Sequence, residues 1–374
     1  MQARGGGEEE GRAGDTCYQE RIVVCGGGIN GASIAYMLAK KGKRPLLIDR
    51  EWEERGRHTF DHLDCVMGLI PSDWYRERYL ENASTRTFSL HHAWQAELEA
   101  LGLGYGGMSN ATILEPITHT VSKMLFDKER ALFLKLYNET DADPSEFFPS
   151  TEEICRRFPW LSPEFVFGAY YVNTQDTAKR ASPRELRNSL LLAAIELGAE
   201  VRTENVTRVE VVDANTTQQK FRVVTDRSEL LADKIVLAMG PWAKEACSQW
   251  FDIDIPLQTC IAYASVLRAT PFDDPEDPCC VKTLVPWQKD ADFPDDYELI
   301  VVPRNGSMTW LGDVADDVDP STLTDPRKWA EHFELSAKHA RALLSGAVDL
   351  IPSLRDAEII HAGIKFSGLV KDRR

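Results

Sequence analysis

The sequence predicts an α/β fold, an α+β composite in which a parallel-sheet domain is interrupted by a domain built on an antiparallel sheet. Three observations carry this. A short apolar run, Ile22 to Val24, feeds into Gly26-Gly27-Gly28-Ile29-Asn30-Gly31, then a helical stretch, then a second apolar run, Leu46 to Ile48. A second helix-to-strand passage begins at Ser182-Pro183-Arg184-Glu185 and ends in a strand-like segment closed by Gly240-Pro241-Trp242. From Leu257 onward the pattern changes to long alternating runs, two of them joined by Arg304-Asn305-Gly306, and Asn-Gly is a strong hairpin signal.

In the first unit each residue type has a physical task. Ile22 to Val24 suit a strand buried on both faces. Gly26 permits a tight turn, Gly28 lets the backbone approach a pyrophosphate with no Cβ in the way, and Gly31 lets the helix lie close to the sheet. Ala32, Ala35 and Ala39 continue that close-packing face, and Gly42 ends the helix. The helix start aims unpaired N–H groups and its positive dipole end at the loop, so two negative charges can be held without a basic side chain. Asp49 closes the second strand, in the window about 20 residues on where a carboxylate accepts from ribose hydroxyls. A 2′-phosphate would meet Asp49 as a like charge, which disfavours NADP; Arg50 is its neighbour. The unit is thus a Rossmann-like dinucleotide-binding βαβ, with Gly26, Gly27, Gly28, Ile29, Asn30, Gly31, Asp49 and Arg50 as cofactor-binding candidates.

Further along, the apolar spacing of Tyr79, Leu80, Ala83, Phe88, Leu90, Trp94 and Leu98 predicts a helix over 75–101, closed by Gly102. A strand is expected at 111–114 and a helix at 121–140. Ser182 caps the next helix, Pro183 suits its first position and Glu185 completes a capping box; Gly198 ends it. Segments 200–202, 207–212, 221–225 and 234–239 are strand-like, separated by turn residues, the first ones small and antiparallel. Long strands are expected at 259–267, 298–303 and 307–312, then a helix at 326–344. The order implies a chain that leaves the nucleotide domain and returns: a tail over 1–16, nucleotide-domain parts at 17–63 and 172–254, and antiparallel-sheet parts at 64–171 and 255–374.

Length and composition bound the function. With 374 residues, 43% of them hydrophobic, the chain can bury large cores. No apolar run approaches the roughly 20 residues that span a bilayer, and runs such as 235–239 read as buried strands. The net charge of −16, with no basic stripe, excludes nucleic acid as a partner. Acidic runs at 8–10, 273–277, 290–296 and 313–319 read as solvated loops. The first 16 residues, rich in Gly and Glu, read as disordered and lack the plan of a secretory signal. The eight cysteines show no CxxC spacing, the Cys279-Cys280 pair reads as loop, and a cytoplasmic location is expected. His58 and His62 have the spacing of two metal ligands on a helix, but Arg57, Thr59 and Asp61 around them read as loop, so no metal is expected.

These segments resemble the D-amino-acid oxidase-like superfamily of FAD-dependent oxidoreductases, and within it the sarcosine-oxidase-like amine oxidases. The likeness covers about residues 21–365 and is carried by the Gly26-to-Asp49 fingerprint, Trp94-Gln95-Ala96-Glu97-Leu98-Glu99, the helix-strand unit from Ala181 to Val209, and Val236-Leu237-Ala238-Met239-Gly240-Pro241-Trp242. It implies FAD in an extended form, with Gly26, Gly28 and Gly31 at the pyrophosphate, Asp49 at the adenosine ribose, Val206 at the adenine through its backbone, and Gly240 and Trp242 along the cofactor. The antiparallel-sheet domain becomes the substrate domain. Family members oxidise a C–N bond beside a carboxylate: the free amine loses a hydride from its α-carbon to flavin N5, and the imine is hydrolysed.

The sequence also departs from the family pattern. Sarcosine-oxidase-like enzymes carry His-Gly-Asp-Thr-Arg-x-x-Arg, whose arginines lie by the flavin and grip the substrate carboxylate. This chain reads His62-Leu63-Asp64-Cys65-Val66-Met67-Gly68-Leu69, with Val66 and Leu69 where the arginines fall. Arg76, Arg78 and Lys365 are candidates to replace them. Phe366 stands where some relatives bond a cysteine to the flavin, so FAD is expected to be non-covalent. The family's FAD-closing segment follows the Ala362-Gly363 strand, whereas this sequence stops at Arg374, so the resemblance implies either a truncated or incomplete product or an open flavin face with weak turnover.

Three readings follow. The first is FAD-dependent oxidation of an amine or amino acid, with oxygen or an electron-transfer protein as acceptor and Lys365 at the substrate. The second is a 2-hydroxy-acid or glycerol-phosphate dehydrogenase, which needs a general base, for which His62 is the candidate. The third is a catalytically silent protein that binds flavin or a partner.

Overall fold

Strand β1 (Ile22–Cys25) is apolar throughout and buried at every position, because it has a parallel neighbour on each side. The structure is a computed structural model and describes residues 20–50, 67–71, 78–118, 146–148, 150–172, 178–212, 220–269, 279–286, 296–304, 307–317 and 326–370. The expected tail at 1–16, the helix at 121–140, the acidic run at 273–277, His58, His62, Val66, Arg76 and the Asn305-Gly306 turn lie outside these residues.

After β1 come α1 (Ile29–Lys40), β2 (Leu46–Asp49), β3 (Leu69–Pro71), α2 (Arg78–Ala100), β4 (Ser109–Asn110), β5 (Thr112–Thr118), β6 (Glu146–Phe148), α3 (Thr151–Arg157), β7 (Val166–Val172) and β8 (Ala178–Arg180). The chain continues through α4 (Pro183–Glu196), β9 (Glu200–Thr203), β10 (Val206–Val212), β11 (Lys220–Thr225), β12 (Glu229–Ala232), β13 (Lys234–Leu237) and α5 (Ala243–Phe251). It closes with β14 (Leu257–Arg268), β15 (Cys279–Pro286), β16 (Asp296–Arg304), β17 (Met308–Asp317), α6 (Pro326–Leu350) and β18 (Glu358–Val370).

Among the described residues, β13, β1, β2 and β9 form one parallel sheet in that order. The chain therefore leaves after β2 and comes back twice, to add β9 beside β2 and β13 beside β1. One face is covered by α1 and α4: Ala32, Ala35 and Ala39 pack with Leu190, Leu191, Ala193 and Ala194, and small side chains on α1 let the helix lie close. The other face carries Val23, Cys25, Leu46 and Ile48 against Val209, Val223 and Leu230 of the antiparallel sheet β10-β11-β12. In that layer burial pushes the Cys25 thiol up to about 12, so it is an inert core residue.

The capping box at Ser182 starts α4 as expected, with Glu185 N–H donating to Ser182 Oγ at 3.4 Å and Pro183 in the first turn. Ser182→Ala is expected to lower stability by about 1 kcal/mol, read as a fall in the urea midpoint with an unchanged slope.

The large sheet runs β18-β14-β17-β16-β15-β5-β7-β6. One face packs on α6 and α3, with Tyr263, Leu267, Val281, Leu299, Val301 and Leu311 against Leu343, Ala347, Leu350 and Ile154. The other presents Ile113, Ala264, Val266, Cys280, Ile300, Val302 and Trp310, with Met67 and Met308 packed at its margin. Strands β3, β8 and β4 form a small sheet beside it, in which Arg180 pairs with both Leu69 and Ser109.

Several expectations are corrected. Residues 200–203 are not an antiparallel strand: β9 runs parallel to β2 and extends the nucleotide sheet. The segment at 235–239 is half-buried rather than buried, since β13 has β1 as its sole neighbour in the described sheet. Cys279 and Cys280 are not in a loop; both are buried in β15, which runs parallel to β5 inside an otherwise antiparallel sheet. The prolines and acids that precede them masked a strand start. The acidic run at 313–319 begins inside β17, paired with β14 as far as Asp317.

Candidate functional site

The loop between β1 and α1 is a set of interlocking close approaches. Gly26 has φ of +103°, and a Cβ there would lie 2.5 Å from the carbonyl oxygen of Ala238 at the end of β13. A Cβ on Gly31 would lie 1.8 Å from the carbonyl oxygen of Gly26. Gly26 N–H donates to Ile48 O and Ala238 N–H to Cys25 O, each at 2.8 Å, so the turn is tied to both neighbouring strands. Gly28 differs: a Cβ there would meet nothing within 4 Å. Its missing side chain leaves open space at the mouth of α1.

That mouth fits a diphosphate. Among the described residues, the N-cap Gly28 makes no side-chain cap to α1 and the first turn carries no acidic residue, which leaves the leading N–H groups and dipole suited to an anion. Ile29 is half-buried and Asn30 exposed at this end.

Asp49 is 7% exposed, and its Oδ2 accepts from Gly27 N–H at 2.7 Å. The carboxylate braces the glycine loop across 22 residues, a task that no motif announces. Arg50 and Trp242, expected near the cofactor independently, meet each other: the guanidinium lies 5.3 Å from the indole centroid. Val206 begins β10 at an irregularity in its pairing with β11, three residues beyond the end of β9, which lies beside Asp49. Gly240 has φ of +56° and is exposed, and the turn it opens, Gly240–Trp242, packs against β14 and β18. The cofactor-side residues and the substrate-side strands therefore adjoin at this turn.

The helix stretch Trp94 to Glu99 braces α1 from outside. Tyr36 OH donates to Glu97 Oε2 at 2.7 Å, and Lys40 pairs with the same carboxylate and holds its pKa below the usual range. Burial, with Glu97 adding to it, raises the Tyr36 phenol.

Lys365 lies on β18 opposite Ala262, half-buried, with its Nζ 5.7 Å from the Trp310 ring centroid. Trp310 is fully buried, and a Cβ on Gly312 would come within 2.4 Å of its ring. Arg78 is the first residue of α2, while Arg76 and His62 lie outside the described residues. Two contributors were missed from sequence. Arg180, the cross-strand partner of Leu69, donates to Ser109 Oγ and Pro303 O, each at 3.0 Å, tying the small sheet to the large one. Trp310 was missed as well.

The model of the family described as "DAO: FAD dependent oxidoreductase" matches residues 21–373. The chain belongs to that family. Its cofactor is FAD, and the uncapped helix, the open space at Gly28 and the carboxylate at the end of β2 fit an extended dinucleotide. Within the wider set of relatives, the mouse (Mus musculus) "Pyruvate dehydrogenase phosphatase regulatory subunit, mitochondrial" is 26% identical over 356 residues, which are 91% of this chain and 35% of that protein. The glycine oxidase of Pseudomonas aeruginosa is 29% identical over 226 residues, 60% of this chain and 57% of its own length. The chain thus spans between a third and somewhat over half of these relatives. Among solved structures, glycine oxidase from Geobacillus kaustophilus matches with a TM-score of 0.69 at 17% identity, covering 95% of this chain and 84% of that one. NikD, described as an unusual amino acid oxidase, matches with a TM-score of 0.66 at 20% identity, covering 95% and 83%. At such identities the structures establish the fold, a parallel-sheet FAD domain with an antiparallel sheet beside it. Among the described residues no helix is long and apolar enough to cross a membrane.

Proposed function

We propose that this chain oxidises the C–N bond of a small amine of amino-acid type, with Lys365 receiving the substrate carboxylate. The observation that carries the reading is the contact of the Gly240–Trp242 turn with β18 and β14, which sets the strand bearing Lys365 against the cofactor-side loop. Residues 17–63 and 172–254 are assigned to the FAD domain, and 64–171 and 255–374 to the substrate domain.

In this reading the N–H groups at the start of α1, with Gly26, Gly27, Gly28, Ile29, Asn30 and Gly31, hold the diphosphate. Asp49 receives the ribose, Val206 meets the adenine through its backbone, and Arg50, Gly240 and Trp242 line the cofactor, which is bound without a covalent link. When bound, FAD supplies a two-electron acceptor for a hydride from carbon next to nitrogen. Lys365 fixes the carboxylate end of the substrate and so the position of its α-carbon. In this reading the apolar cluster of Ala264, Cys280, Ile300 and Val302 on the Trp310 side of the sheet helps to keep water from the substrate. Oxygen or an electron-transfer protein takes the electrons afterwards.

Anaerobic titration of the FAD-loaded chain with glycine, sarcosine, proline, lactate and glycerol 3-phosphate tests the reading. Bleaching of the flavin absorbance by an amine, and a rise in its KM of about 10- to 100-fold in Lys365→Met, are expected from loss of a charge-assisted hydrogen bond. Bleaching by a hydroxy acid alone transfers the assignment to the dehydrogenase reading, in which His62 is the base. The regulatory-subunit relative, matched over 91% of this chain, favours a second reading: a flavoprotein that binds a partner without turnover. A bound flavin that no amine or hydroxy acid bleaches selects it.

A further inference from the structure

We propose that Trp310 is a positioning residue that holds the Lys365 ammonium over its indole face, and that Gly312 is the gap that lets the indole reach it. The proposal rests on the reading of Lys365 as the carboxylate anchor and adds what presets that anchor.

Trp310 and Lys365 belong to strands on opposite sides of β14. Trp310 pairs with Val266 and Lys365 with Ala262, so their backbones are displaced by four positions along β14, about 13 Å of extended chain. A side chain standing straight up from position 310 would not meet one at 365. The ring instead lies along β17. The atoms nearest to an added Gly312 Cβ are Cη2 at 2.4 Å, Cζ2 at 2.7 Å and Cζ3 at 3.2 Å, all on the benzo end. Position 312 lies toward the Ala262 end of β14, because Leu311 pairs with Ser265 and Ala315 with Ala262. The indole therefore runs from the Val266 level toward the Lys365 level, and any residue larger than glycine at 312 blocks that path. Its far end brings the ring centroid to 5.7 Å from Lys365 Nζ, within cation–π range.

The choice of tryptophan is informative because it carries a cost. Trp310 is fully buried, and its Nε1 has no hydrogen-bond partner among the described residues. Leucine or phenylalanine would fill core space without burying that donor. What indole adds is length and the strongest π face of any side chain. A lysine has a flexible four-carbon stem and a compact charge, so an anchor built from it needs something to limit where the ammonium goes. An indole face under the ammonium does this.

The test is the affinity of the FAD-loaded full chain for acetate, a carboxylate with no oxidisable amine, measured by titration calorimetry. Steady-state KM and kcat for whichever amine bleaches the flavin are measured alongside. Trp310→Leu and Gly312→Ala are expected to raise the acetate Kd and the amine KM about 5- to 30-fold, the range of a partly desolvated cation–π contact, with kcat changed less. Trp310→Phe keeps a folded core and a weaker π face, and a rise of a few-fold is expected with FAD content and thermal midpoint unchanged. In Lys365→Met the further change Trp310→Phe should add nothing, whereas Lys365→Arg, whose planar head also stacks on indole, should keep acetate binding. Acetate affinity unchanged in Trp310→Phe and Gly312→Ala, but lost in Lys365→Met, overturns the positioning role and leaves the anchor standing. Acetate affinity unchanged in Lys365→Met overturns both. A fall in thermal midpoint of Trp310→Phe without any change in acetate Kd assigns Trp310 to core packing and likewise overturns the proposal.

Discussion

Gly28→Val is expected to abolish FAD uptake while leaving the apoprotein folded. The separation of the two effects follows from the surroundings of Gly28. A Cβ there meets no atom of the described residues within 4 Å, and its φ of −69° and ψ of −173° lie in extended space open to a β-branched residue. The stability cost is that of a poorer helix start, under about 1 kcal/mol. The ligand is another matter. Valine would place two methyl groups over the leading N–H groups of α1, where the diphosphate has to sit. Each hydrogen bond to a charged group is worth about 1.5–3 kcal/mol, so losing two weakens FAD by about 100-fold or more. Flavin content after purification and a fluorescence titration with FAD read the affinity, and a urea melt of the apoprotein reads the fold. Flavin retained at the wild-type level in Gly28→Val would remove the diphosphate from this loop, and with it the cofactor geometry proposed for the whole site.

The glycine loop was legible in the sequence because its residues answer to local demands. A tight turn, an open approach and a close helix each exclude a side chain, and each leaves a glycine at a set spacing. The capping box at Ser182 is legible for the same reason, its donor and acceptor being three residues apart. What could not be read depends on contacts between distant segments. Asp49 was assigned to a sugar, whereas its bond to Gly27 N–H shows that it also holds the loop in shape, and nothing near either residue signals the pair. Strand β15 was hidden because its pairing with β5 is parallel and joins segments far apart in the chain. Lys365 was singled out through a family resemblance and not through its surroundings. Its neighbour Trp310 comes from the register of three strands, including an irregularity between Tyr263 and Ser265 on β14, and no residue pattern encodes that register. Arg180 is a similar case. Its guanidinium joins β8 to β4 and β16, and on sequence it is the end of a short polar run.

Gly31→Ala should act in the opposite way to Gly28→Val and unfold the nucleotide domain outright. The added Cβ would fall 1.8 Å from the carbonyl oxygen of Gly26 and 2.9 Å from its carbonyl carbon, a backbone contact that no rotamer change relieves. Gly26 cannot give way. It holds φ of +103° with the space for its own Cβ taken by Ala238 O at 2.5 Å, and its N–H is bonded to Ile48 O. Relief would require α1 to move away from β1, and α1 carries Ala32, Ala35 and Ala39 into the core shared with Leu190, Leu191 and Ala194 of α4. Overpacking in a tight core costs about 1–3 kcal/mol when side chains can adjust. Here backbone meets backbone, so a loss above about 3 kcal/mol is expected, a large share of the stability of an ordinary domain. The measurable result is insoluble or flavin-free protein, or a thermal midpoint lowered by many degrees, even though one methyl group is smaller than the valine tolerated at Gly28. Soluble Gly31→Ala with wild-type melting would contradict the close approach of α1 to the first turn. The inverted order of severity, methyl at 31 worse for the fold than isopropyl at 28, is the signature that separates a glycine kept for packing from one kept for a ligand.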